Sequence, residues 1–155
     1  HHRSSAASDV YKRQALYVVY YSPMQMAADL PRHYKKHPEA FEFIKAVPVD
    51  WSDKVVLNSE ISQYVTIARK DKNSENWFVG GITDENDRTF KLDLSFLDVD
   101  HTYKFKIFRD KANTHWKENP MEYEIDQFDL KIKNDSSTEI YIAPGGGFAM
   151  QIEKI

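Results

Sequence analysis

At Pro48 the hydrophobic rhythm of the chain changes, and it does not change back. Phe90, Leu92 and Leu94 alternate with Lys91, Asp93 and Ser95; Tyr103, Phe105 and Ile107 with Lys104 and Lys106; Phe128, Leu130 and Ile132 with Asp129, Lys131 and Lys133. Successive side chains of a strand point to opposite faces, so a period of two sends one set into a core and the other into water. Val65 with Ile67, the run Trp77 to Ile82, Ile140 with Ile142, and Phe148, Met150 and Ile152 supply further strands. Turn clusters at Asp71 to Asn76, Asp84 to Asp87, Asp98 to Asp100 and Asn134 to Ser137 separate them. Short strands at this spacing, with no helix between them, predict an antiparallel β-sandwich over residues 48–155. The phase of each alternation predicts the inward set: Phe90, Leu92, Leu94, Tyr103, Phe105, Phe128, Leu130, Ile132, Ile140, Ile142, Phe148 and Met150.

Before Pro48 the pattern is helical. From Ala15 to Leu30 (ALYVVYYSPMQMAADL) apolar residues fall on every side of a helical wheel, as in a helix buried around most of its circumference. Ser22 followed by Pro23 resembles an N-cap and first-turn proline, which predicts a break or kink there, and Pro31 is expected to stop the helix. Pro38 to Val47 opens with a first-turn proline and spaces Phe41, Ile44 and Val47 three apart, predicting a second, short helix with one apolar stripe. Residues 1–14 (HHRSSAASDVYKRQ) have no apolar period and give way abruptly to a different composition at Ala15; they read as translated adapter sequence foreign to the fold. The division expected is therefore 1–14 artefact, 15–47 helical, 48–155 sandwich.

Several classes of chemistry find no support. A formal net charge of -3 offers no basic field for nucleic acid or anionic lipid. The absence of cysteine removes disulfides, thiolate metal sites and cysteine nucleophiles. The longest apolar run, Ala15 to Tyr21, is too short to cross a bilayer, and no signal pattern opens the sequence, so the chain reads as soluble. His33, His37, His101 and His115 lack the spacing of a zinc site or of a partnered nucleophile. The acidic turn Asp84-Glu85-Asn86-Asp87 lacks the glycine and distal glutamate of a calcium loop and is expected to be a hairpin turn. No Gly-Lys-Ser/Thr comes after Gly145-Gly146-Gly147, which are expected to form a tight connection needing positive φ or close backbone approach. Asn134-Asp135-Ser136 fits a glycosylation sequon, a triplet that arises by chance.

Three segments carry a family resemblance: YSPMQMAADLP (Tyr21 to Pro31), YVTIARKDKNSENWFVGGITDEND (Tyr64 to Asp87) and APGGGFAMQI (Ala143 to Ile152). Together they resemble the carboxyl-terminal end of glycoside hydrolase family 97, over essentially all of Ala15 to Ile155. The resemblance implies a bacterial parent enzyme, periplasmic or secreted, with an amino-terminal β-sandwich, a (β/α)8 barrel that cleaves α-linked glucosides or galactosides, and this terminal β-domain, which is associated with oligomerisation. Calcium and the catalytic carboxylates belong to the barrel. A barrel needs about 250 residues, so only Ala15 to Val47 could belong to it, as its last outer helical layer. No position here matches the family's catalytic motifs, so no catalytic, cofactor-binding or metal-binding residue is expected in this chain.

Glycoside hydrolysis requires two carboxylates flanking the scissile bond. Asp29, Glu39 and Glu42, the acids of the helical segment, read as solvated surface groups, and the remaining acids fall in turns or on polar strand faces. The tryptophans raise an alternative, an autonomous carbohydrate-binding module, because aromatic platforms stack on sugar rings. Trp77 lies in an apolar run and reads as core; Trp116, between polar residues in the loop Lys111 to Pro120, is the candidate sugar or interface contact, or else a cover for the sandwich or barrel. The expected partners are accordingly the parent's barrel, a second copy of the chain and the parent's oligosaccharide substrate, with no nucleic acid and no membrane.

Overall fold

The computed structural model describes residues 10–26, 31–111 and 123–155. Three helices come first, α1 (Val10–Val19), α2 (Pro31–Tyr34) and α3 (Pro38–Ala46). Eight strands come after them: β1 (Trp51–Glu60), β2 (Tyr64–Asp71), β3 (Trp77–Thr83), β4 (Arg88–Asp93), β5 (Thr102–Asp110), β6 (Tyr123–Lys131), β7 (Ser137–Ile142) and β8 (Gly147–Lys154). Among the described residues every helix precedes Pro48 and every strand pairing is antiparallel.

The strands form a six-stranded sheet in the order β1-β2-β3-β8-β5-β6 and a two-stranded sheet, β4-β7. The six-stranded sheet is the middle of three layers. One of its faces meets β4-β7 across a core containing Trp77, Val79, Leu92, Leu94, Tyr103, Phe105, Ile132, Ile140, Ile142, Phe148 and Met150. Its other face carries the helices over a second core of Val18, Ala40, Phe43, Val47, Phe78, Phe108 and Ala149. Double coverage explains why Trp77 to Gly81 is buried at every position, where a half-exposed strand would alternate. Trp77 is in the core, packed on Phe96 at 4.8 Å between ring centroids.

Ten of the twelve residues expected to face the core are buried; Phe128 and Leu130 are not. Phe128 takes the inward phase and stacks on Phe105 at 5.1 Å, yet remains 37% exposed because β6 is an edge strand that the small sheet does not cover. Strand β1 escapes detection by alternation because its register shifts twice against β2, between Trp51 and Asp53 and between Val56 and Asn58. Each bulge inserts a residue and breaks the period of two. The turn Asp84 to Asp87 is not a hairpin: it carries the chain from β3 in one sheet to β4 in the other. There the Asp84 carboxylate accepts the Asn86 backbone N–H at 3.0 Å and faces Arg88 at 3.3 Å.

The helical segment departs most from expectation. The break at Ser22-Pro23 comes earlier, since α1 ends at Val19 and Tyr20 to Met26 has no helical turn; Pro31 opens α2 instead of stopping a helix. Helix α1 also begins before Ala15. Val10 to Gln14 belong to α1, and Gln14 is fully buried, its amide donating to the Ala40 carbonyl at 3.0 Å. Gln14, Ala15 and Val18 fall on one helical face, and that face lies on the sheet. In α3 the buried residues are Ala40 and Phe43, each one position before the expected Phe41 and Ile44, while Val47, buried as expected, lies just past the helix end. Phe41 stacks on Tyr34 of α2 at 4.7 Å and so faces its helical neighbour, while Phe43 packs edge-on against Phe78 and Phe108.

Candidate interaction surfaces

The helix face of the sheet is defined by register. Phe78, Gly80 and Ile82 of β3 stand opposite Arg69, Ile67 and Val65 of β2, and Ile67 and Val65 stand opposite Val56 and Ser59 of β1. Helix α1 lies across β3 and β8 on this face. Its approach depends on Gly80, where an added Cβ would lie 2.6 Å from the Ala15 carbonyl oxygen and 2.9 Å from the Val18 Cβ. Any side chain there would lift the helix. The Gly-Gly pair of β3 is thus a seat for α1 on one side and, at Gly81, for the Phe148 ring on the other.

Arg69 fastens the end of that helix. Its Nε donates to the Val18 carbonyl at 2.6 Å and one terminal nitrogen to the Val19 carbonyl at 3.2 Å, so a guanidinium satisfies carbonyls that a helix C-terminus leaves without partners. The charge also opposes the negative end of the helix dipole. Arg69 is only 8% exposed, with the Tyr21 and Trp51 rings each 6.0 Å away, and desolvation lowers its pKa.

Past Val19 the chain clasps itself. Tyr17 Oη donates to the Met26 carbonyl at 2.8 Å, and the Gln25 amide donates back to the Tyr17 carbonyl at 2.9 Å. Burial raises the Tyr17 pKa. The clasp presents Tyr20, Tyr21, Met24 and Met26 to solvent, each more than 60% exposed, around a cleft of about 380 Å³ that Leu16 also lines. Of the residues expected to crowd the helix, Val18 and Val19 are buried on the sheet and Leu16 is half-buried. The helical segment therefore has an inner side packed on the sheet and an outer apolar collar that no other described residue covers.

At Gly145 to Gly147 both expected reasons hold: Gly145 has φ of 62°, and a Cβ on Gly146 would overlap the Asp110 carboxylate. That carboxylate, 1% exposed, accepts the backbone N–H groups of Ala143 and Gly147 at 3.1 and 3.2 Å. The other candidates do not converge. His37 faces the Tyr123 hydroxyl, its Nδ1 3.3 Å away, whereas His101 sits before β5 with Nδ1 3.1 Å from the Val99 carbonyl oxygen. Glu39 and Glu42 are exposed, and Asn134 lies on an exposed turn. Asp29, His115 and Trp116 lie outside the described residues. Among the described residues no group of three His, Asp or Glu side chains could hold a metal ion.

Arg69 and Gly80 were not singled out by sequence reasoning. A signal existed for each: Arg69 interrupts the otherwise uncharged run Val65 to Ala68 on the helix-facing phase, and glycine is poor in strand interiors unless another backbone approaches closely.

Comparison with known proteins identifies the family. The glycosyl-hydrolase 97 C-terminal, oligomerisation family matches residues 50–153. A retaining alpha-galactosidase of Bacteroides thetaiotaomicron is 37% identical over 142 residues, 92% of this chain and 20% of that protein. A glycoside hydrolase family 97 enzyme of a Pseudoalteromonas species, solved in complex with panose, superposes with a TM-score of 0.87 at 35% identity, over 94% of this chain and 22% of that one. A beta-arabinopyranosidase shares the fold, with a TM-score of 0.71 at 23% identity over 92% of this chain. The chain spans about a fifth of the length of these relatives.

Proposed function

Because the chain belongs to the glycosyl-hydrolase 97 C-terminal, oligomerisation family, we propose that it forms the non-catalytic terminal domain of a glycoside hydrolase. In that role it supports the catalytic barrel on one side and associates with a second copy. The observation that carries this reading is the two-sided helical segment. Its inner face is locked to the sheet by Gly80 and Arg69, and its outer face is an apolar collar of Leu16, Tyr20, Met24 and Met26. An apolar surface rimmed by polar groups marks an interaction site. The collar lies outside the matched residues 50–153, toward the four-fifths of the parent's length that precede this domain in its relatives, which supports the barrel as its occupant.

The parent's substrate is taken from the relatives: an α-linked galactoside, as in the name of the Bacteroides enzyme, or an α-linked glucoside, the class to which panose belongs. Calcium and the catalytic carboxylates are assigned to the barrel; the described residues do not fit a calcium site. The parent is expected in the periplasm or outside the cell.

The test uses the chain itself. A hydrophobic dye should bind it, and Met24→Lys with Met26→Lys should abolish most of that signal while the circular dichroism of the strands is retained. Dye silence of the unmodified chain would remove the collar from the account. Release of sugar from α-galactosides or α-glucosides by the chain alone would overturn the non-catalytic assignment.

A further inference from the structure

The end of the β1-β2 hairpin is poor in charge. Between Val55 and Ile67, Glu60 is the only charged residue of thirteen, in a chain of which 29% is charged. The opposite edge strand, β6, carries Glu124, Asp126, Asp129 and Lys131 within nine residues. Natural sheets guard their edges with charge, and interface centres are depleted of it. Charge guards β6 along its length, whereas on β1 it is confined to Asp53, Lys54 and Glu60 and leaves Val55 to Ser59 without any.

The same hairpin holds a protrusion beside a hollow. Ile61, at its tip, is 94% exposed, and Ser62 takes a left-handed conformation with φ of 65° to form the turn. Next to it, where α1 stops short of the β1 flank, a cleft of about 480 Å³ opens on the helix face, lined by Tyr20, Ser59, Tyr64, Val65 and Ile82. Val56, 51% exposed, stands one register step further along β1 on the same face. The polar side chains at the rim already bond to one another: the Gln63 amide donates to Glu60 at 2.7 Å and accepts from Arg88 at 2.9 Å, and Arg88 also faces Asp84. Arg88 and Asp84 neutralise each other, while the Glu60 carboxylate, bonded to a neutral amide, belongs at the wet rim of a contact.

We propose that the β1-β2 hairpin is where a second copy of this chain docks about a two-fold axis, Ile61 of each copy entering the cleft of the other. A two-fold interface must be self-complementary, and a knob adjoining its own hollow meets that condition. The bulge between Val56 and Asn58 breaks the open ladder of β1, so the copies join through side chains and not by extending one sheet into another. The inference rests on the oligomerisation reading above and adds its location, inside the residues that the oligomerisation family matches.

Sedimentation and light scattering of the 155-residue chain across a concentration series test it, alongside Ile61→Asp, Val56→Lys and the collar variant Met24→Lys with Met26→Lys. The expected result is a dimer that Ile61→Asp and Val56→Lys each weaken at least about tenfold, and that the collar variant retains. Should Ile61→Asp disturb the turn, as circular dichroism would reveal, Val56→Lys decides alone. A dimer untouched by either hairpin variant overturns the location while the oligomerisation reading stands. Dissociation by the collar variant only would move the interface to the helices. A monomeric chain overturns both, and if it also loses dye binding on Ile61→Asp, the hairpin belongs against the upstream part of the parent.

Discussion

The two faces of the six-stranded sheet are built by different means. Toward β4-β7 the sheet buries large side chains at regular period-two positions, and the contact is one of bulk: Tyr103, Phe105, Phe148, Leu92 and Met150 fill the space between the layers. Toward the helices it is made by removing bulk, with Gly80 clearing room for α1, and by one buried cation, Arg69, gripping the helix end. Hydrophobic volume is forgiving of small adjustments; a backbone approach across a glycine is not. The sandwich face should therefore dominate total stability, while the helix face should be lost through smaller and more local changes.

The largest effect that could break this contrast is deletion of residues 1–47. The alternating strands alone suggest that this would leave the sandwich folded and more soluble, but Phe78, Phe108 and Ala149 are buried beneath the helices. The truncated protein is expected to aggregate or lose cooperative unfolding in a thermal melt; a sharp transition at the parent temperature would show that the helices are passengers. Next come the core truncations. Phe105→Ala and Leu92→Ala, both fully buried, should each cost roughly 2 to 5 kcal/mol by urea denaturation. Phe128→Ala, exposed at the β6 edge, should cost clearly less than Phe105→Ala.

Gly80→Ala sharpens the comparison further: the added methyl has nowhere to go unless α1 lifts, at about 1 to 3 kcal/mol. Its signature should be hydrogen exchange that accelerates in α1 and stays unchanged in β4 and β7. Arg69→Met leaves two helix-end carbonyls without their donor and should cost about 1 to 3 kcal/mol with the same confinement to the helix face. The smallest effect is expected at the exposed Asp98 to Lys154 pair, 2.7 Å apart. The hydrogen bond and charge of Lys154 hold the Asp98 carboxyl below its ordinary value of 3.8. A depressed carboxyl stabilises the fold above its unfolded-chain value, and that contribution fades as pH falls through the lower folded value. Asp98→Asn should therefore slightly flatten the loss of stability below about pH 4 and change nothing in the acid limit, as a titration of the melting temperature would show.

Legibility in the sequence divides along the same line. Leu92, Phe105 and Ile140 could be assigned to the core because each strand had one wet face to set the phase. β3 could be recognised as buried but not as doubly covered, since an uninterrupted apolar run has no phase. β1 was unreadable because its bulges reset the alternation. In the helical segment the start of α1 was missed: Gln14 is polar by composition and buried only because Ala40 offers a carbonyl to it. The phase of α3 was misread for a related reason, since Phe41 and Phe43 are equally apolar and only the placement of α2 decides which turns inward. A surface defined by missing charge, such as the β1-β2 hairpin, needs register before its members can be seen to share a face.

The position of β8 has a consequence for synthesis. Of the eight strands, the last in sequence order lies in the interior of the large sheet, between β3 and β5, and it forms part of the ground on which α1 rests. Until Gly147 to Lys154 has emerged, β3 and β5 have no common neighbour, and the first helix of the segment has half its seat. At elongation rates of about 5 to 20 residues per second, the chain from α1 onward waits roughly 7 to 30 seconds before it can close. Throughout that interval the apolar inner side of α1 is open, next to any domain already folded upstream. A product cut short anywhere before β8 cannot complete the seat of α1, and quality control can recognise it by that exposed side.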